Sequence, residues 1–137
     1  MNGKVPGSAQ GRVAGVDMIA FRPDLEMIRT ARDHVAKIAA DWPVNEHVVR
    51  VVVSELVTNA VLHAGTDEIR VDAYADGDVY VVAVWDADAT APTLRSPEDE
   101  SLDGRGLLIV GEMVSRWGTR HDGQEGGKTV FAEWAAR

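Results

Sequence analysis

The chain has 137 residues, 45% of them apolar, with 14 basic against 22 acidic side chains for a net charge of −8, and no cysteine. That length suits one domain with a real core, and the acidic balance argues against a general nucleic-acid surface, which needs clustered Lys and Arg. Without cysteine there are no disulfides or thiolate metal sites, and no uncharged apolar run reaches the roughly 18–20 residues of a membrane helix.

Residues 1–15, MNGKVPGSAQGRVAG, show no periodicity and no apolar core of a signal peptide. They read as a flexible tail ahead of a single domain over residues 16–137, with the cytoplasm as the simplest location. Val16 to Phe21 is a plausible first strand, and Pro23 suits the first turn of a helix. Leu25, Ile28, Ala31, Val35, Ile38 and Ala39 then recur at helical spacing, which predicts a helix from Asp24 to Ala40. Asp41-Trp42-Pro43 breaks it. A second helix is expected from about Val44 to Ala64, with Gly65 just past its end.

The period then changes. Ile69, Val71, Ala73 and Ala75 alternate with polar neighbours as in a half-buried strand. Asp76-Gly77 is a strong two-residue hairpin signal, and Val79 to Trp85 is the returning strand. Its continuous apolar character predicts a central position in a sheet. Residues 86–103 read as a long mobile loop, and Gly104-Arg105-Gly106 opens a third helix running to about Val114. Arg116–Arg120 and Thr129–Trp134 read as a closing pair of strands. The order β-α-α-β-β-α-β-β argues for an α+β two-layer sandwich, with helices on one face of a mostly antiparallel sheet.

One feature stands out against this frame. Val48 to Leu62 reads VVRVVVSELVTNAVL, the most apolar stretch of the chain. Within and just after it, Glu55, Asn59 and His63 recur every four residues, on one slowly drifting helix face. A carboxylate and an amide at the edge of a core carry a desolvation cost unless something binds them. Three further pieces join this stripe: Asp86 at the end of the central strand, Gly104-Arg105-Gly106 at a helix start, and Gly126-Gly127-Lys128-Thr129 entering the last strand. Each alone has a bland reading: a solvated stripe, a cap residue, a turn glycine, a hairpin. Their order and spacing together are more specific.

With SELVTNAVLHA (54–64), GRGLLIV, RWG and GGKTVFAEW, residues 16–136 resemble the anti-sigma-factor serine kinases of the Bergerat ATP-binding fold. That superfamily also holds histidine kinases, type II topoisomerases, heat-shock chaperones and mismatch-repair ATPases. The nearest subgroup is that of the small stand-alone ATP-binding regulators of actinobacteria. The resemblance implies that Asn59 binds Mg²⁺ through its side-chain oxygen while the ion bridges ATP phosphates. It implies that Glu55 is the general base, and that Asp86 accepts a hydrogen bond from the adenine amino group with support from Thr129. Gly104 and Gly106 would let backbone N–H groups approach phosphate at a helix N-terminus, with Arg105 adding positive charge. His63 matches a frequent histidine at the end of the asparagine motif. Residues 87–103 match the nucleotide lid. Many members carry Asp-x-Gly-x-Gly after the central strand; here the stretch is Asp86-Ala87-Asp88-Ala89-Thr90, and the charge of Asp88 is expected to lower ATP affinity.

The resemblance implies a protein serine/threonine kinase using ATP and Mg²⁺. Its partners would be an anti-anti-sigma factor, presenting the acceptor Ser or Thr, and a sigma factor held inactive. A homodimer through residues 16–40 is expected. The main alternative is a non-catalytic module that binds nucleotide or sequesters a partner. Hydrolysis of ATP with water as acceptor is a third possibility.

Overall fold

The computed structural model describes residues 17–63, 65–88, 110–121 and 126–135. Five strands, β1 (Ile19–Phe21), β2 (Ile69–Asp76), β3 (Val79–Asp86), β4 (Arg116–Arg120) and β5 (Lys128–Ala135), form one sheet in the order β1-β2-β3-β5-β4. Every pairing is antiparallel. Two helices, α1 (Met27–Ile38) and α2 (Glu46–His63), cover one face. The two-layer α+β architecture is therefore the one the pattern implied, with β3 at the centre of the sheet. Among the described residues no helix is long and apolar enough to cross a membrane.

Differences from the expected boundaries have local causes. The first helix begins at Met27 rather than Asp24, because Asp24 closes a turn. Its carboxylate accepts the Glu26 N–H at 2.9 Å and its carbonyl accepts the Met27 N–H at 2.9 Å. The second helix begins at Glu46, after Asn45, whose side-chain oxygen accepts the Val48 N–H at 3.2 Å in the manner of an N-cap. The hairpin loop is Gly77-Asp78, not Asp76-Gly77, since Asp76 pairs with Val79 and Gly77 takes φ 61°. Gly65 lies just past the end of the second helix, as expected. Of the third helix only residues 110–113 lie within the described segments, and they are helical.

Strand alternation sorts side chains onto two faces. Ile69, Val71 and Ala73 of β2, Val82 and Val84 of β3, and Val130, Ala132 and Trp134 of β5 meet the helices. Against them α1 sets Ala31 and Val35, and α2 sets Val49, Val52, Val53, Leu56, Val57 and Ala60. Trp42, which ends the short 3-10 turn after α1, packs its ring 5.2 Å from Tyr80 and 6.4 Å from Trp134. On the opposite face Val81, Ala83 and Phe131 form a smaller cluster. The guanidinium groups of Arg116 and Arg120 each lie 5.1 Å from the Phe131 ring centre.

Candidate functional site

The site is built on α2. Four residues turn an α-helix by about 400°, so a side chain four positions on is displaced by about 40° around the axis. That drift runs toward the core: Glu55 is half-buried, whereas Asn59 is only 7% exposed. Neither side chain has a hydrogen-bond or ion-pair partner among the described residues. Burial pushes the Glu55 carboxyl above the usual glutamate range, and no neighbouring charge offsets it. An ionisable group and an amide held partly out of water without partners are what a ligand site requires and a purely structural helix avoids.

The sign of the Glu55 shift makes a prediction. A raised pKa in the folded state means the folded protein holds the proton more tightly than the unfolded chain. Stability therefore falls as pH rises from the ordinary glutamate range through the raised value. Glu55→Gln removes the charge and should raise the melting temperature at neutral pH. The gain should vanish in acid below the ordinary glutamate pKa, as measured by calorimetric scans at both pH values.

The second half of the site is the corner where β3 ends. Asp86 is 1% exposed, and directly across the ladder from it stands Lys128, 4% exposed. Lys128 Nζ donates to Asp86 Oδ1 at 2.9 Å and to the Asp88 carbonyl at 2.9 Å. Asp86 Oδ1 also accepts the Asp88 N–H at 2.9 Å. Asp88 in turn accepts the Gly65 N–H at 3.3 Å, and the Ala87 N–H donates to Thr66 Oγ1 at 3.0 Å. The chain leaving α2 is thereby stitched to the chain leaving β3. The acidic group of Asp88, expected to weigh against a nucleotide, serves here as a fastener of the chain leaving α2. Gly127 lets β5 approach: it takes φ 75°, and a Cβ there would overlap the Asp86 carbonyl oxygen.

Thr129 sits one residue beyond Lys128, opposite Trp85. Alternation turns its side chain to the sheet face away from the helices, so it is Lys128, not Thr129, that shares a face with Asp86. His63 is the last residue of α2. Its side chain, like Gly104, Arg105 and Gly106, lies outside the described residues, as do residues 89–103 of the expected lid.

A divalent ion fits what is present. Asn59, only 7% exposed as a residue, offers an amide oxygen with no partner among the described residues. Among the described residues no three His, Cys, Asp or Glu side chains gather into a metal cage. Mg²⁺ typically takes one or two protein ligands plus phosphate oxygens and water, which suits Asn59 as the protein's contribution. Over residues 21–134 the sequence matches the histidine kinase-like ATPase domain family. No curated protein matches the chain.

Proposed function

The chain belongs to the histidine kinase-like ATPase domain family, an ATP-binding family, and on that premise we propose that it is an ATP-dependent protein serine/threonine kinase and anti-sigma factor. The observation that carries the reading is the Glu55–Asn59 stripe, whose side chains have no partner among the described residues, on a helix whose outgoing chain is bonded to the segment just after buried Asp86. ATP would lie along this stripe. Asn59 would hold Mg²⁺, which supplies charge neutralisation at the phosphates. The adenine amino group would reach Asp86. Glu55, one turn before Asn59, would be the base that orients an acceptor hydroxyl for in-line attack on the γ-phosphoryl group, with ADP as the leaving group.

The acceptor in this proposal is a Ser or Thr of an anti-anti-sigma factor. Phosphate added there brings nearly two negative charges to a partner of a chain that already carries −8. Repulsion then favours release, leaving the domain free to hold a sigma factor. A homodimer through residues 16–40 belongs to the same proposal.

One observation favours a non-catalytic module instead. Asp86 is already committed to an internal ion pair and takes two hydrogen bonds at Oδ1, which leaves a nucleobase its other oxygen, beside the Lys128 ammonium. Calorimetric titration of ATP and ADP, with Mg²⁺ and with chelator, separates the two. Saturable binding that is tightened by Mg²⁺ and weakened at least about tenfold by Asn59→Ala supports the kinase. Transfer to the antagonist should then be lost in Glu55→Gln while ATP binding survives. No binding at millimolar nucleotide would leave the sequestering module as the function.

A further inference from the structure

A cavity of about 200 Å³ opens along the seam between α1 and α2, lined by Arg32 of α1 and by His47, Arg50, Val51 and Ser54 of α2. It is distinct from the stripe described above. At about 100° of rotation per residue, Ser54 lies on one side of Glu55 around the helix and Asn59 on the other. Arg32 reaches across the seam, where Nη1 donates to Ser54 Oγ at 3.4 Å. Its Nε–H is buried and meets no acceptor among the described residues. A guanidinium stays charged throughout the accessible pH range, and leaving one of its buried N–H groups without an acceptor is costly.

The charge around the cavity has the same sense. Arg50 is held by Glu46 through Nε and by Asp33 through Nη1, both at 2.9 Å, and both carboxylates are largely exposed. The hydrogen bond from Arg50 holds Asp33 below the usual carboxylate range, and the charges of Arg50, Arg29 and Arg32 add to it. Two arginines, Arg32 and Arg50, thus line the cavity with His47, and the two nearby acids both bind Arg50, which leaves Arg32 as the cation without a carboxylate partner among the described residues.

We propose that this cavity binds a phosphate-class oxyanion, with the Arg32 guanidinium and the Ser54 hydroxyl as its principal donors and Arg50 and His47 at its rim. A tetrahedral oxyanion presents several acceptors to a guanidinium fork at once, and drawing Arg32 toward it would give the orphaned Nε–H an acceptor. The cavity's volume of about 200 Å³ has room for a phosphate group and is below the roughly 300–1,000 Å³ of pockets that enclose drug-sized molecules. Free phosphate and a phosphorylated side chain share this chemistry. The proposal does not depend on the nucleotide reading.

The test is titration of the full chain with inorganic phosphate and, separately, with a short phosphoserine peptide, followed by backbone amide shifts in NMR. Saturable shifts centred on residue 32 and residues 47–54 are expected. Arg32→Gln should weaken them at least about tenfold. The double variant Arg50→Gln/Ser54→Ala, which spares the buried guanidinium, should weaken them as well if Arg32→Gln fails to fold. Tighter binding of the peptide than of inorganic phosphate supports the proposal with a phosphorylated protein as the source, and equal binding supports it with the free anion. No saturable shift at millimolar phosphate overturns it. So do shifts confined to residues 55–63 and 86–88, or binding that both variants leave unchanged.

Discussion

Lys128→Met should destabilise the domain by about 3–5 kcal/mol, because removing one partner of a buried ion pair leaves the other as an uncompensated charge. Asp86 is 1% exposed, and its Oδ1 lies 2.9 Å from Lys128 Nζ. Methionine keeps most of the length of the side chain and none of the donors, so packing contributes little to the loss. The double variant Asp86→Asn/Lys128→Met removes both charges and should recover a substantial part of the stability, since replacing both members of a buried pair is often nearly neutral. Urea denaturation of these two variants and of Asp86→Asn alone, read as a double-mutant cycle, measures the coupling. A Lys128→Met protein within about 1 kcal/mol of the parent, less than the range for a broken buried pair, would show that the ammonium leaves Asp86 at little cost.

That outcome bears directly on ligand binding. A nucleobase that uses Asp86 must share it with Lys128 or displace it. If the pair is strong, adenine binding is taxed by whatever part of the coupling is lost, and weak ATP affinity follows. If Lys128 stays in place while Asp86 accepts a further bond, the lysine is a positioning residue that keeps the carboxylate oriented. The Asp88 carbonyl, which accepts the second Lys128 bond at 2.9 Å, favours the latter arrangement by giving the ammonium a reason to remain.

Much of this was legible from residue spacing, and the part that was not has a definite cause. The Glu55–Asn59 stripe could be read because helical drift is fixed by geometry and the surrounding valines mark the buried side. The central place of β3 in the sheet follows from its continuous apolar run. The Asp86–Lys128 contact was missed because the last strand was begun at Thr129, and neighbouring residues on a strand face opposite sides. Counting back by twos from Val130, Ala132 and Trp134, all on the helix side, reaches Lys128; counting forward from Val82 and Val84 reaches Asp86. The seam cavity was beyond the reach of spacing, since Arg32 and Ser54 belong to different helices and only their packing brings them together.

Gly127→Ala should cost more than any other single methyl added at a described glycine of this domain. Gly127 takes φ 75°, which costs an L-residue about 1–2 kcal/mol. The added Cβ would also overlap the Asp86 carbonyl oxygen and stand 2.9 Å from the Ala87 Cα, adding about 1–3 kcal/mol of overpacking against backbone that has no rotamer to escape through. Gly77→Ala is the matched control. It has a similar φ, 61°, but nothing within 4 Å of the added carbon, so it should show the conformational cost alone. The difference between the two urea midpoints, at equal denaturant slope, isolates the close approach of β5 to the end of β3. The same displacement should pull Lys128 from Asp86, so Gly127→Ala should lose nucleotide affinity where Gly77→Ala does not. Equal stability losses in the two variants would mean that the chain beside Asp86 yields easily, and the tight corner would then have no part in holding the carboxylate for a ligand.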